Sequence, residues 1–204
     1  MFDFTGAPIA VRSDLAETFT ATWDHLATPG ATLTGAERLA VAAAARGEAD
    51  GGAHPALLAL AERLGRSPGS VHEPEVRAAA DVVGDAPTVE TVAVVSMLAC
   101  VDGTHDALGI DRPPLPDPEP GEPTGDVATG LKRRRTHLPM PPGPIPVALD
   151  LVGGEHDVRE ALSVATYMPG PEMDQPVWGR DPGLDRPQME VVASRTSWHN
   201  DCFY

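Results

Sequence analysis

A chain of 204 residues, 42% of them hydrophobic and only 4% aromatic, is long enough to bury a sizeable core and favours alanine-lined helix contacts over aromatic ones. Its formal net charge of −15 repels nucleic acid and anionic membrane surfaces at long range, so neither is an expected partner. Two cysteines, Cys100 and Cys202, are too few for a disulfide framework. With no basic-then-apolar leader after Met1 and no apolar run approaching a membrane span, the expectation is a cytoplasmic protein with free or redox-active thiols.

In chain order, residues 13–26 read as a helix capped by Ser13, with Leu15, Phe19, Trp23 and Leu26 at helical spacing. Thr34 and Glu37 form the pattern of a capping box into a helix over 38–46, which Ala49, Asp50, Gly51 and Gly52 stop. Shorter helices follow over 55–65, with Leu57, Leu58, Leu60 and Leu64, and over 73–83, entered near His72. Residues 87–108 form the longest apolar helix, closed by Gly109.

That helix carries Glu90, Asp102, His105 and Asp106. The last three share a face at i, i+3 and i+4, which suits a pair of metal ligands, but spacing fixes no second ligand group, so no metal is expected. The plainer expectation makes Glu90 and His105 polar residues at the edge of a buried helix, bonded to each other or to the C-terminal helix. Alternatively, His105 lines a pocket facing Cys202. Cys100, among Met97, Leu98 and Val101, reads as core.

From 111 to 146 prolines recur every few residues, which rules out a regular helix or a central strand. This is a long connection lying over the surface, and its one basic cluster, Lys132 to Arg135, is expected to rest solvated against acidic surface. An apolar patch over 147–152 and a helix over 157–165 come next. In the Pro- and Gly-broken stretch 169–182 and just before it, Tyr167, Met168, Met173 and Trp178 could cover a pocket. Asp185 then caps a final helix with Pro187 in its first turn.

The final helix places Glu190 on an apolar run, twelve residues before Cys202. Twelve steps of an ideal helix turn through about 1200°, so the two groups point roughly 120° apart, and their contact requires a break near 197–201 or a neighbouring helix. His199, three residues before Cys202, lies closer to the cysteine face and is a candidate base. A thiol attacks as its thiolate, so a nearby base is what nucleophilic chemistry at Cys202 demands.

The Glu190-x11-Cys202 interval, with Val191, Val192, Ala193, Arg195, Ser197, Asn200, Phe203 and Tyr204 around it, resembles the alkylhydroperoxidase D-like (carboxymuconolactone decarboxylase-like) family. Its signature is a helical Glu, eleven residues, Cys-x-x-Cys, then a His. The segments 34–42, 111–123 with Gly121-Glu122-Pro123, and 159–164 are similar to the same family. The resemblance implies an all-α fold of two related helical halves, residues 1–110 and 147–204, joined by the Pro-rich connection 111–146. It also implies a degenerate first motif over 37–52, where Glu37 is followed by Ala49 and Gly52 instead of thiols and has a structural role. No cofactor and no metal are implied, and a homo-oligomer is.

The implied activity is that of a thiol-dependent peroxidase-like oxidoreductase acting on a small peroxide with a dithiol electron donor. Cys202 would be the nucleophile and Glu190 the proton relay, with His199 or His105 assisting. The signature's second Cys and its His are not among the 204 residues. The sequence stops at Tyr204, one position before the second thiol, where some relatives carry selenocysteine. A UGA codon read as a stop, a genuine loss of the tail and a sequence that was simply cut here all account for that, and the 204 residues do not separate them. Two other functions fit the resemblance: a non-catalytic scaffold or binding protein, and a cofactor-free decarboxylase or isomerase in which a carboxylate and a His work without thiols.

Overall fold

The computed structural model describes residues 2–48, 51–134, 136–142, 148–179 and 183–199, and among these it is all-α. Seven helices follow in order: α1 Ser13–Ala27, α2 Gly35–Arg46, α3 Pro55–Arg66, α4 Glu73–Val83, α5 Asp85–Leu108, α6 Glu155–Thr166 and α7 Arg186–His199. Extended pairing among the described residues is limited to isolated bridges such as Val127 with Val152.

Helix α5 organises the rest. Its 24 residues span about 36 Å and pack against α2, α3, α4 and α6. Val89, Ala93, Val94, Met97, Leu98 and Val101 are all buried, against Phe19 and Leu26 of α1, Val41 and Ala42 of α2, and Leu57 of α3. Length and hydropathy alone would pass α5 as a membrane span, yet 61% of its apolar window is buried inside the protein. It also carries buried Glu90, Asp102 and His105, so it is the core helix of the bundle. The joint between α4 and α5 is the single residue Gly84, at φ +97°, a conformation that would strain any side chain. Pro87 falls in the first turn of α5, where a missing N–H costs nothing.

Several helix ends follow from the sequence. Thr34 and Glu37 form the expected capping box: the Glu37 N–H donates to Thr34 Oγ1, and the Thr34 N–H donates to the Glu37 carboxylate at 2.9 Å. Asp185 and Gln188 exchange the same reciprocal bonds at the start of α7, at 2.9 and 3.0 Å. Ser13 does not cap α1. The N-cap position is Arg12, whose guanidinium pairs with Asp14 at 2.8 Å and donates to the Ala165 carbonyl at 2.7 Å, tying α1 to the end of α6. Helix α2 ends at Arg46, as expected, with Gly47 as its C-cap; of the stretch expected to stop it, Ala49 and Asp50 lie outside the described residues.

The Pro-rich connection is pinned rather than loose. Glu119, Thr124 and Gly125 donate backbone N–H groups to the carbonyls of Ala27, Gly30 and Ala31, each at 2.9 Å, so the strand of chain after α5 covers the turn between α1 and α2. The Trp23 indole N–H donates to the Pro114 carbonyl at 3.0 Å. Leu138 is buried, and Leu115, Val127 and Leu131 pack on the core. In the basic cluster Arg133 pairs with Glu73 of α4. Arg135 lies outside the described residues, as do Pro144, Pro146 and Val147.

Candidate functional site

The carboxylate singled out on α7, Glu190, lies at the surface but is held on two sides. The Tyr167 hydroxyl, just past the end of α6, donates to Glu190 Oε1 at 2.7 Å, and Arg186, one turn earlier on α7, reaches the same oxygen at 2.5 Å. The Tyr167 bond, helped by Arg186, keeps the Glu190 carboxyl below its ordinary range against a small opposing effect of burial. The same bond pushes the Tyr167 phenol up, because ionising it would place two anions in contact. Arg186 also touches Met168 Sδ at 3.1 Å, and Met168 is buried. Of the residues expected to cover a pocket here, Tyr167 and Met168 pack inward, whereas Met173 is exposed.

Helix α7 continues unbroken from Glu190 to His199, which is exposed. Only Met189 of α7 is buried, while Val191, Val192 and Trp198 are open to solvent. Cys202, and with it Asn200, Phe203 and Tyr204, lies outside the described residues.

His105 is elsewhere. It is buried on α5 in an aromatic box, stacked on Phe4 at 5.2 Å and on Phe19 at 6.4 Å between centroids, with Phe2 edge-on at 5.6 Å. Its Nδ1 lies 2.8 Å from the Val101 carbonyl, which can only accept, so Nδ1 carries a proton in that bond. No hydrogen bond or ion pair joins His105 to Glu90, Glu190 or His199 among the described residues. The cavity it lines is walled by the N-terminal segment, α1 and the Pro-rich connection rather than by α7. The expected pairing of His105 with Glu90 or with the C-terminal helix is therefore corrected. About four turns of α5 separate His105, boxed in by Phe2 and Phe4, from Glu90.

Glu90 is instead the centre of a buried ionic cluster. Arg38 of α2 bridges Glu90 Oε1 at 2.8 Å and Glu155 Oε1 of α6 at 2.5 Å, and none of the three side chains has any exposure. Thr32 donates its N–H and its hydroxyl to Glu90 Oε2, both at 2.7 Å, and His25 Nε2 faces Glu155 Oε2 at 3.2 Å. Burial pushes Glu155 up, but the contacts with His25 and Arg38 outweigh it and leave the carboxyl below its ordinary range. Burial likewise disfavours the Arg38 cation, and the two carboxylates more than reverse that. A glycine is required where the turn passes: a Cβ on Gly30 would lie 1.9 Å from Glu90 Oε1 and 2.4 Å from Arg38 Nη1.

The other acidic residues of α5 are likewise taken by arginines. Asp102 is gripped by Arg46 through two bonds, at 2.9 and 2.7 Å, and Asp106 by Arg112 at 2.8 and 2.5 Å. Among the described residues no group of three or more His, Cys, Asp or Glu side chains is placed to hold a metal ion. Cys100 is half-buried between α5 and α6; burial pushes its thiol up, partly offset by a bond with Thr166. Glu37 serves the cap of α2.

Arg38 and Glu155 were not among the expected site residues, although their spacing carries a signal. Arg38 precedes buried Val41 and Ala42 by three and four residues, and Glu155 precedes buried Leu162 by seven, so each belongs to the inward stripe of its helix. No family model, no curated protein and no solved structure matches the chain.

Proposed function

We propose that the chain is a thiol-dependent, peroxidase-like oxidoreductase of the alkylhydroperoxidase type, with Cys202 as nucleophile and Glu190 as proton relay. The observation that carries this reading is the bonded state of Glu190: an ionised carboxylate on the helix leading to Cys202, oriented by Tyr167 and Arg186. In the reaction, Glu190 takes the Cys202 proton, the thiolate attacks the outer peroxide oxygen, an S–O bond forms and the O–O bond breaks. The departing alkoxide takes the proton and leaves as the alcohol, while Cys202 becomes a sulfenic acid. One thiol of a dithiol donor then condenses with the sulfenic acid, releasing water. Its second thiol breaks the mixed disulfide, restoring the Cys202 thiol and giving the donor disulfide.

His199, near the end of α7, is the assisting base in this reading. His105 is left out of it, because its cavity shares no residue with α7. The exposed Val191, Val192 and Trp198 support assembly into a homo-oligomer through α7.

A non-catalytic scaffold or binding protein is the second reading. It is favoured by the arginine pairing of Glu90, Asp102 and Asp106 and by the raised thiol of Cys100, which leave the helical core without chemistry of its own. The deciding experiment follows cumene hydroperoxide consumption by the full chain with dihydrolipoamide as reductant. Turnover that disappears in Cys202→Ser and survives in Cys100→Ser supports the peroxidase. Wild-type turnover equal to that of Cys202→Ser transfers the conclusion to the scaffold.

A further inference from the structure

From Arg112 to Pro120 every residue is a proline, precedes one, or both. A proline ring fixes φ at about −65° and pushes the residue before it into extended backbone, so this stretch is a polyproline II rod by its own chemistry. Such a rod turns once in about three residues, which sets Pro113 and Pro116 on one edge. Both are half-buried, as is Leu115 between them, whereas Pro114, Asp117 and Pro118 face solvent. Leu115 packs on the core.

The helical body meets the rod with a matching groove. Prolines have no N–H and a polyproline rod leaves its carbonyls free, so whatever reads it must aim donors at carbonyls and offer apolar surface to the rings. Arg46 Nη2 donates to the Pro113 carbonyl and Trp23 Nε1 to the Pro114 carbonyl, both at 3.0 Å. Phe2 stands edge-on to Trp23 at 5.4 Å between centroids, and the Arg46 guanidinium covers the indole at 5.7 Å, so the donor edge of the ring is held in place.

The attachment is light. Among the described residues no backbone N–H from 112 to 118 bonds to the helical body, whereas those of Glu119, Thr124 and Gly125 farther along do. A cavity of about 580 Å³ runs along the seam, between Phe2, Thr20 and Trp23 on one side and residues 111–116 on the other, so the rod is seated without being sealed. Few bonds and an open seam mark a stretch that leaves its seat locally, without global unfolding.

We propose that this face of the bundle is a recognition groove for proline-rich peptide, a partner's Pro-Pro-apolar-Pro segment, and that the chain's own residues 112–118 occupy it in cis as a built-in competitor. The cis copy acts at an effective concentration on the order of millimolar, so a partner gains the groove only where its segment binds better or the strap is drawn off. The cavity along the groove shares no residue with α7, and the proposal is independent of Cys202 and of the peroxidase reading.

Calorimetric titration of the full chain with an end-capped peptide of residues 110–118 tests it. The joint changes Pro113→Gly, Pro114→Ser, Leu115→Gly and Pro116→Ser unseat the cis copy. That opened chain should bind one peptide with a Kd below about 1 mM, and the wild type should bind it at least about tenfold more weakly. The same peptide carrying alanine in place of its prolines should not bind. Adding Trp23→Phe to the opened chain, which keeps an aromatic ring and removes the N–H, should weaken binding about fivefold, the loss expected for one hydrogen bond. Cys202→Ser should change nothing. If the fourfold variant lacks the helical circular dichroism of the wild type, Leu115→Ser alone serves as the opened chain, because it keeps the rod and removes its apolar anchor. Absence of saturable binding to a folded opened chain, equal affinity in the wild type and the opened chain, or full binding of the alanine peptide would each overturn the proposal.

Discussion

Arg38 and Glu90 meet at 2.8 Å in the interior of the bundle, with neither side chain exposed to solvent. A buried pair of this kind contributes little by existing but a great deal by not being broken, since removing one partner strands a charge in a medium that cannot solvate it. Arg38 answers two carboxylates, Glu90 and Glu155, so it is the worst of the three to lose. Arg38→Met should destabilise the fold by about 3–5 kcal/mol. Adding Glu90→Gln and Glu155→Gln to it should recover part of the loss, measured by urea unfolding. Additive losses in the triple variant would mean that the charges do not depend on one another.

Gly30→Ala and Gly103→Ala should act in opposite directions. At Gly30 the new methyl would meet Glu90 Oε1 at 1.9 Å and force the Arg38–Glu90 contact apart, a loss of about 3 kcal/mol or more. At Gly103, mid-helix in α5, a Cβ meets nothing within 4 Å, so alanine should stabilise the helix by about 0.5–1 kcal/mol. Thermal unfolding of the two single variants reads both signs in one comparison.

Acid should weaken the fold through Glu155. Its carboxyl titrates below the value of 4.5 that an unperturbed Glu has, so the folded state binds this proton less readily than the unfolded chain. The contribution is complete above the unfolded value and is lost as pH falls from there through the lower, folded one. Glu155→Gln should flatten this part of the acid limb of stability against pH. An unchanged acid limb would show that other carboxylates carry it.

The bond between Tyr167 and Glu190 has a readout that needs no turnover. With Glu190→Gln the phenol loses the anion that raises it, so ultraviolet titration of the Tyr167 hydroxyl should shift to lower pH. In the peroxide assay the same variant should lower kcat/KM by about 10²-fold or more if Glu190 relays the proton. Tyr167→Phe, which removes only the orienting bond, should cost less.

Cys100 should react slowly with maleimide in the folded Cys202→Ser protein and rapidly once urea is added, because burial holds its thiol up. Rapid labelling of the folded protein would refute the inert assignment.

Much of the helical framework was legible in the sequence, for identifiable reasons. The Thr34 and Glu37 box, the Asp185 cap and the apolar spacing of Phe19, Trp23 and Leu26 are local patterns, and local patterns survive into the structure when nothing tertiary opposes them. Ser13 failed as a cap because Arg12 makes a long-range bond to Ala165, which spacing cannot reveal. The ionic cluster was only half legible. Glu90 stood out because it interrupts the most apolar helix, but its partners lie 52 and 58 residues away in the sequence, at Arg38 and Thr32. Glu155 escaped notice because the helix was expected to begin at 157, and the residue that begins it is the one that turns inward. His105 was expected to serve the α7 site. Its surroundings are set by Phe2 and Phe4, in the segment before α1, where no helical spacing marks them as partners of a residue a hundred positions on.

The Arg38–Glu155 contact, 117 residues apart in sequence, bears on how the chain folds as it is made. When α1 to α5 have emerged from the ribosome, Arg38 can already reach Glu90, but His25 and the second bond of Arg38 Nη1 still wait for a helix not yet synthesised. The loop that will cover the turn at Gly30 is also still in the exit path. The amino-terminal portion therefore waits with the Arg38–Glu90 pair balanced in charge but without the second bond and the cover that α6 brings. Pausing translation between codons 110 and 155 should leave a species more sensitive to protease than the finished protein.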